Sequence, residues 1–194
     1  MDEIDFKKQI GCLADTGYKP VPDRVEIRIP DAKRHLMDGL RFFLGENAKW
    51  LPDYDRIAEW LGDNNGRGLL LVGKCGLGKS LIGMRIIPLL LNYYCRKVVS
   101  IYTAQELNTQ PDEIISKHIL YIDDIGTEDI SNIYGNKRIP FAELVDAAER
   151  DGKLLIVTTN LDEEHLIEKY KDRVFDRLKA VTRRITIIGD SMRG

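Results

Sequence analysis

The sequence predicts an α/β fold in which five parallel strands form one sheet flanked by helices. Five short apolar runs after residue 67 have the pattern of buried strands, and they cover residues 68–73, 97–103, 118–124, 153–160 and 183–189. Segments with helical spacing of apolar residues separate these runs, and strands that alternate with helices form parallel sheets covered on both faces. With 194 residues and 43% hydrophobic content, the chain can bury one core of this kind.

Residues 1–52 lie before this regular pattern and are predicted to form an N-terminal arm. Four prolines interrupt the segment, and only residues 31–45 place apolar side chains at helical spacing. A short helix that ends at Gly62 and a turn-rich linker are predicted next. The chain therefore divides into residues 1–52, a partly helical arm that is a candidate for partner binding, and residues 53–194, the α/β core.

Three longer segments between the strands have helical patterns. Residues 79–91 follow the first strand, and Pro88 is expected to kink or end that helix. Residues 139–153 have a proline in the first turn and Gly152 just past the predicted end, the positions that favour these residues. Residues 162–181 predict one or two helices, and acidic residues at their start suit a helix N-terminus.

The segment between the first strand and the helix after it matches the phosphate-binding pattern G-x-x-x-x-G-K-[ST], as GKCGLGKS at residues 73–80. Its glycines let successive backbone N–H groups face one point, and the helix N-terminus adds the positive end of its dipole. Lys79 is predicted to bridge the terminal phosphates of a nucleotide. The predicted phosphate contacts are Gly73, Lys74, Cys75, Gly76, Leu77, Gly78, Lys79, Ser80 and Leu81.

Two adjacent aspartates, Asp123 and Asp124, end an apolar run in the segment HILYIDDIG at residues 118–126. Two carboxylates at the end of a buried strand need a partner from elsewhere, and the phosphate loop provides one. The Ser80 hydroxyl and Asp123 are predicted to hold Mg²⁺, which prefers oxygen ligands. Asp124 is predicted to face the attacking water, and the alternative for this residue is a solvated loop carboxylate.

These motifs, in this order, resemble the DnaC/IstB-type helicase loaders within the AAA+ P-loop ATPases. The resemblance covers residues 54–193 and includes three further segments, IVTTN at 156–160, RVFDRL at 173–178 and GDSMR at 189–193. It implies the P-loop NTPase fold of the AAA+ type.

The resemblance implies catalytic roles for three more residues. Asn160 would orient the water against the γ-phosphate, Arg177 would be an arginine finger that reaches a neighbouring subunit's nucleotide, and Arg193 would contact the phosphates within its own subunit. Other roles stay open for each residue. Asn160 could form a turn, Arg177 could pair with Asp172 or Asp176 on the helix surface, and Arg193 lies one residue from the C-terminus, where fraying is common.

The function implied by the resemblance is an AAA+ ATPase that binds ATP and Mg²⁺, hydrolyses ATP slowly and loads a replicative helicase in DNA replication. The helicase is the implied protein partner, a nucleotide-dependent homo-oligomer is the implied assembly, and single-stranded DNA is a further candidate partner. Only 14 residues, 104–117, separate the second strand from the aspartate strand, which weakens the case for direct DNA binding. Asp124 stands where many AAA+ proteins have Glu, and because Arg193 lies at the end of the sequence, no C-terminal lid domain is expected.

Three other functions are compatible with the core motifs. An IstB-like accessory ATPase for transposition shares all of them and would differ in the N-terminal arm. A nucleotide-gated adaptor would bind ATP without hydrolysis, and Asp124 is the residue that keeps this alternative open. A small-molecule P-loop kinase would have no use for Asn160 or for a finger from a neighbouring subunit.

Composition excludes several further classes. The formal net charge of −2 gives no overall attraction to nucleic acid or membrane. Three cysteines without a C-x-x-C pair argue against a disulfide or zinc framework and favour a reducing, cytoplasmic compartment. The apolar run 86–91 is far shorter than the ~20 residues of a membrane span, and the N-terminus lacks a signal-peptide core.

Overall fold

The computed structural model describes residues 4–14, 16–18, 21–128, 131–133, 136–189 and 191 of the chain. It contains seven described strands: β1 (Gly68–Val72), β2 (Ser100–Thr103), β3 (Ile119–Ile125), β4 (Ser131–Ile133), β5 (Asn136–Arg138), β6 (Leu154–Thr159) and β7 (Thr182–Thr186). Five of them form a parallel sheet in the spatial order β2–β3–β6–β1–β7. The predicted five-stranded parallel sheet is thus confirmed. The sequence did not predict the antiparallel hairpin of β4 and β5.

The described residues also form ten α-helical segments: α1 (Phe6–Ala14), α2 (Ala32–Leu44), α3 (Tyr54–Gly62), α4 (Lys79–Leu81), α5 (Ile87–Cys95), α6 (Ala104–Thr109), α7 (Pro111–Ser116), α8 (Pro140–Asp151), α9 (Glu163–Tyr170) and α10 (Asp172–Val181). The predicted ends of α8 are confirmed, with its proline in the first turn and Gly152 in a left-handed conformation at its C-terminus. Among the described residues, no helix is long and apolar enough to span a membrane.

Helices cover both faces of the sheet, as a parallel sheet requires. Leu69 and Leu71 of β1 belong to a core with α2, α3 and α5, whereas Leu70 of the same strand belongs to a second core with α8 and α10. The period of two along the strand therefore divides the apolar side chains between two layers. This three-layer arrangement leaves the carboxyl ends of the strands free for polar residues.

The helix after the phosphate loop does not end before Pro88. A π segment, Ile82–Ile86, joins α4 to α5, and Pro88 lies in the first turn of α5, where its missing N–H is tolerated. The helix then continues through Cys95. The irregularity expected at the proline therefore lies in the turn before it, and the expectation of a helix end is corrected.

Much of the predicted arm packs into the core. Val25, Ile27 and Ile29 are buried in an extended segment, and the buried Asn64 side chain pairs with its backbone. Ile27 N donates to Asn64 Oδ1 at 2.8 Å, and Asn64 Nδ2 donates to Val25 O at 2.9 Å. Helix α2 packs beside α3 in the same core. Among the described residues, a boundary at residue 52 thus does not coincide with a break in packing.

Candidate phosphate-binding site

The phosphate loop connects β1 to α4 through a backbone that glycine makes possible. Gly76 and Gly78 have φ of 86° and 72°, in the left-handed region that side chains disfavour. Gly76 is also constrained by space, because a Cβ there would lie 2.1 Å from Ser191 Oγ. The loop geometry predicted from the sequence is present, and it places the N-terminus of α4 at the carboxyl edge of the sheet.

Lys79 lies buried at the base of this loop. Its Nζ donates to Gly73 O at 2.7 Å, to Lys74 O at 2.9 Å and to Asn160 Oδ1 at 2.8 Å. These contacts hold the ammonium group between the loop and the end of β6. The cation is therefore already located where a phosphate cradled by the loop would meet it.

Asp123 is held by two hydroxyl groups from its own strand and the neighbouring one. Thr158 Oγ1 donates to Asp123 Oδ1 at 2.7 Å, and the Tyr121 hydroxyl donates to the same oxygen. Burial raises the pKa of Tyr121 far above its usual range, and its hydrogen bond to Asp123 adds to this, so the hydroxyl keeps its proton for the carboxylate. Because both donors use Oδ1, Oδ2 can face a cation.

The sequence analysis did not single out Tyr121 and Thr158. A signal for both was present, because residues two apart on a strand share a face. Tyr121 stands two before Asp123, and Thr158 stands two before Asn160. Because β3 and β6 pair in parallel, Tyr121 and Thr158 lie on the same face of the sheet.

Asp124 has an unusual backbone conformation. Its φ is 57°, and the register of β3 against β6 shifts between Ile122 and Ile125. The Asp124 amide donates to Thr158 Oγ1 at 2.9 Å, and Asn160 Nδ2 donates to Asp124 Oδ1 at 2.6 Å. Desolvation and the nearby Asp123 carboxylate raise the pKa of Asp124, while Lys79 acts in the opposite direction. Asp124 and Asn160 therefore form one hydrogen-bonded unit with Lys79.

Both aspartates and six of the nine predicted loop residues line one cavity of about 260 Å³, whereas Gly73, Lys74 and Leu77 line a second cavity. Its lining residues are Leu44, Cys75, Gly76, Gly78, Lys79, Ser80, Leu81, Asp123, Asp124, Thr158 and Asn160. In the part of the chain that the structure describes, no cluster of three or more His, Cys, Asp or Glu could hold a metal unaided. The oxygen donors Ser80 and Asp123 instead suit Mg²⁺ that is completed by phosphate and water oxygens.

Arg177, the predicted arginine finger, does not line this cavity. Arg177 lies on α10, where Nη1 donates to Asp146 of α8 and Nε lies 3.2 Å from Glu149 Oε2. Arg177 therefore pairs across two helices, and not with Asp172 or Asp176 of its own helix. Arg193 lies outside the described residues.

Comparison with solved structures finds the same fold in other proteins. DnaI matches with a TM-score of 0.54 and 22% identity, over 66% of this chain and 73% of that chain. A candidate primosome component from Streptococcus pyogenes serotype M3 matches with a TM-score of 0.53 and 15% identity, over 85% and 87%. The DnaC helicase loader matches with a TM-score of 0.52 and 16% identity, over 89% and 94%. No protein-family model and no curated protein sequence matches the chain.

At these identities the similarity shows the fold. It confirms the predicted α/β fold, a five-stranded parallel sheet flanked by helices. It also supports, at the level of fold, the resemblance to the DnaC/IstB-type loaders.

Proposed function

We propose that this chain binds ATP with Mg²⁺, hydrolyses it slowly and uses the nucleotide cycle to load a replicative helicase. The observation that carries the ATPase part is the convergence of Lys79, Asp123, Asp124 and Asn160 on one cavity beside the phosphate loop. A turn that bound nothing would need neither the buried lysine nor the paired carboxylates.

Binding uses the loop amides and Lys79 for the phosphates. Lys79 Nζ holds two loop carbonyls and Asn160, and an incoming γ-phosphate would compete for this ammonium group. Ser80 and Asp123 would hold Mg²⁺, which neutralises charge on the β- and γ-phosphates when bound. The Tyr121 and Thr158 hydroxyls keep the Asp123 carboxylate in position for that ligand.

Hydrolysis requires a water in line with the γ-phosphoryl group, and this chain offers Asp124 and Asn160 to orient it. The hydrogen bond of 2.6 Å between them fixes both groups before any ligand enters. Asp124 would accept the water's proton, and Asn160, freed from Lys79, would contact the γ-phosphate. Arg177 would supply charge from a neighbouring subunit, so turnover by an isolated subunit would be slow.

The loader part of the proposal is supported by the likeness to solved proteins whose names include the DnaC helicase loader and DnaI. The segment before Val25 is the candidate surface for the helicase. Helix α1 presents the exposed apolar side chains Phe6, Ile10 and Leu13. Single-stranded DNA remains a candidate partner of the assembly, and a cytoplasmic location accords with this role.

Two alternatives follow from particular features. A transposition ATPase of the IstB type would use the same site and differ in the partner bound by the N-terminal segment. A nucleotide-gated adaptor would bind ATP and keep it, and the short carboxylate of Asp124 favours it because Asp reaches less far than Glu. Native mass determination with and without a hexameric helicase separates the loader from the transposition protein.

The test of the ATPase assignment separates the two aspartates. Asp123→Asn should weaken Mg²⁺-dependent ATP binding, whereas Asp124→Asn should bind ATP like the parent and lose turnover. Phosphate release and ATP titration measure the two effects, each with and without single-stranded DNA and helicase. Equal loss of affinity in both variants would contradict the division, and no release by the parent under any condition would favour the adaptor. Faster phosphate release by the Asp124→Glu variant than by the parent would identify the short carboxylate as the cause of slow turnover.

A further inference from the structure

A buried glutamate lies four residues after Asp124 and outside the motifs. Glu128 is 6% exposed, and both of its carboxylate oxygens have partners. Oε2 accepts from Gly126 N at 2.7 Å, and Oε1 accepts from the Tyr170 hydroxyl of α9. Lys169 Nζ lies 3.8 Å from Oε1. One side chain thus joins the turn after β3 to the end of α9.

Hydrogen bonds to backbone carbonyl groups also hold this turn. Lys169 Nζ donates to Gly126 O at 2.8 Å and to Glu128 O at 2.5 Å. On the opposite side, Thr159 Oγ1 of β6 donates to Ile125 O at 2.6 Å. Residues 124–128 are therefore fixed between β6 and α9.

The turn has little room to adjust. Gly126 has a φ of 107°, and a Cβ there would lie 2.4 Å from Leu161 Cδ1. Asp124, two residues earlier, is itself in the left-handed region, which disfavours side chains other than those of Asn and Asp. Because such a conformation persists only where surrounding contacts impose it, the contacts of Glu128 bear directly on Asp124.

Stability alone gives a weak reason for burying this carboxylate. Removing a carboxylate from water is costly, and replacing a buried ion pair by apolar residues is often neutral or stabilising. Burial and the Glu128 charge both raise the pKa of Tyr170 well above its usual range, so its hydroxyl stays protonated as a donor. A buried, fully paired glutamate in this turn is therefore better explained by the geometry that it imposes.

We propose that Glu128 is a positioning residue for hydrolysis, which fixes the turn after β3 and thereby holds the Asp124 carboxylate against Asn160 in the direction of the water. The inference rests on the proposed ATPase function and adds a residue to it. Glu128 does not line the cavity, and it acts on Asp124 through Gly126 and the backbone of the turn, while its charge also raises the pKa of Asp124. Tyr170 and Lys169 extend this support to α9.

The test compares Glu128→Ala with Glu128→Gln in the full chain. Ala removes the contacts to Gly126 N, Tyr170 and Lys169, and kcat for phosphate release should fall by about 10- to 100-fold while the Kd for Mg·ATP stays within about twofold. Gln keeps an acceptor for Gly126 N and should recover most of kcat. Glu59→Ala is the matched control, because Glu59 pairs with Arg183 of the edge strand β7, away from the turn, and its kcat should equal that of the parent.

Three results would overturn the inference. The first is parental kcat in Glu128→Ala, and the second is a loss of ATP affinity equal to the loss of turnover, which would indicate a merely structural role.

The third concerns hydrogen exchange, which does not depend on turnover. Exchange of the amides in residues 124–128 should speed up by about tenfold or more in Glu128→Ala relative to β1, and unchanged exchange would contradict the proposal. A parent that binds ATP without releasing phosphate would refute hydrolysis only, and the exchange result would still decide the role of Glu128 in fixing the turn.

Discussion

The phosphate site and the α8–α10 surface hold their charged groups in different ways. Asp123 and Asp124 are fixed by Thr158 and Asn160, which follow from the pairing of neighbouring strands in one sheet. Within the described part of the chain, Arg177 is held by Asp146 and Glu149, whose side chains are 46% and 42% exposed. The first arrangement is set by the fold, and the second depends on surface ion pairs.

This difference shows which part of the proposed mechanism one chain can complete. Strand pairing brings lysine, carboxylates and amide together without a partner, because all of them lie at the carboxyl ends of β1, β3 and β6. The Arg177 guanidinium lies on a helix surface, where ion pairs with exposed carboxylates contribute little because water screens them. The proposed mechanism requires Arg177 to exchange these partners for a phosphate group on a neighbouring subunit.

The largest effect is expected from Arg177→Ala. An arginine supplied from a neighbouring subunit can raise the rate of phosphoryl transfer by roughly 10³–10⁵, so the variant should bind ATP normally and release almost no phosphate. Arg173→Ala, one helical turn away on the same helix, serves as the control and should lose much less. Phosphate release at several protein concentrations measures the effect, and parental activity that persists on dilution to monomers would contradict a finger from a neighbour.

A mixture of two variants tests whether Arg177 of one subunit completes the phosphate site of a neighbouring subunit. A Lys79→Ala subunit keeps its finger and lacks a working phosphate loop, whereas an Arg177→Ala subunit has the loop and lacks the finger. Their mixture should regain turnover that neither has alone. If the two variants co-assemble by native mass determination and the mixture stays inactive, Arg177 acts within its own subunit or only stabilises α8 against α10.

A smaller effect, on affinity, is expected from Lys79→Ala by itself. Charge-assisted hydrogen bonds are worth roughly 1.5–3 kcal/mol, so loss of the ammonium group should weaken Mg·ATP binding by about 10- to 100-fold. The rise in melting temperature that ATP gives the parent should largely disappear. Lys49→Ala removes an exposed lysine and should leave that rise unchanged. A variant stabilised by ATP as strongly as the parent would show that the loop does not bind phosphate.

The sequence predicted the features that depend on local pattern. The loop, the aspartates and Asn160 stand at the ends of apolar runs, and those runs proved to be neighbouring strands of the sheet. Once the strands are known, their parallel pairing brings these residues together with no further information.

The features that were missed depend on contacts between distant residues. The alternation of VEIRI at residues 25–29 was a strand-like signal, yet its backbone partner is the Asn64 side chain, 37 residues after Ile27. Glu128 lies outside all the predicted motifs, and it is buried against Tyr170, 42 residues later. Arg177 could be placed on a helix, but a pairing with α8 instead of α10 acids follows only from how the helices pack.

The smallest change in turnover is expected when Arg177 is kept and the charges of its two acidic partners are removed. Asp146→Asn and Glu149→Gln together take away both carboxylate charges and leave the arginine, the phosphate site and the apolar face of α8 unchanged. If Arg177 must leave this pair to reach a neighbour's nucleotide, the double variant should turn over faster than the parent, by at most about fivefold because exposed pairs are weak. Asp176→Asn, which removes a carboxylate paired with Lys179 on the same helix, is the matched control and should have no effect. A loss of turnover in the double variant with unchanged ATP affinity would mean that the two acids orient Arg177 for its role. The ion pairs of Arg177 with Asp146 and Glu149 would then be needed for turnover. Arg177 would be held in place for its role as firmly as the residues of the phosphate site, and the difference between the two regions would not hold.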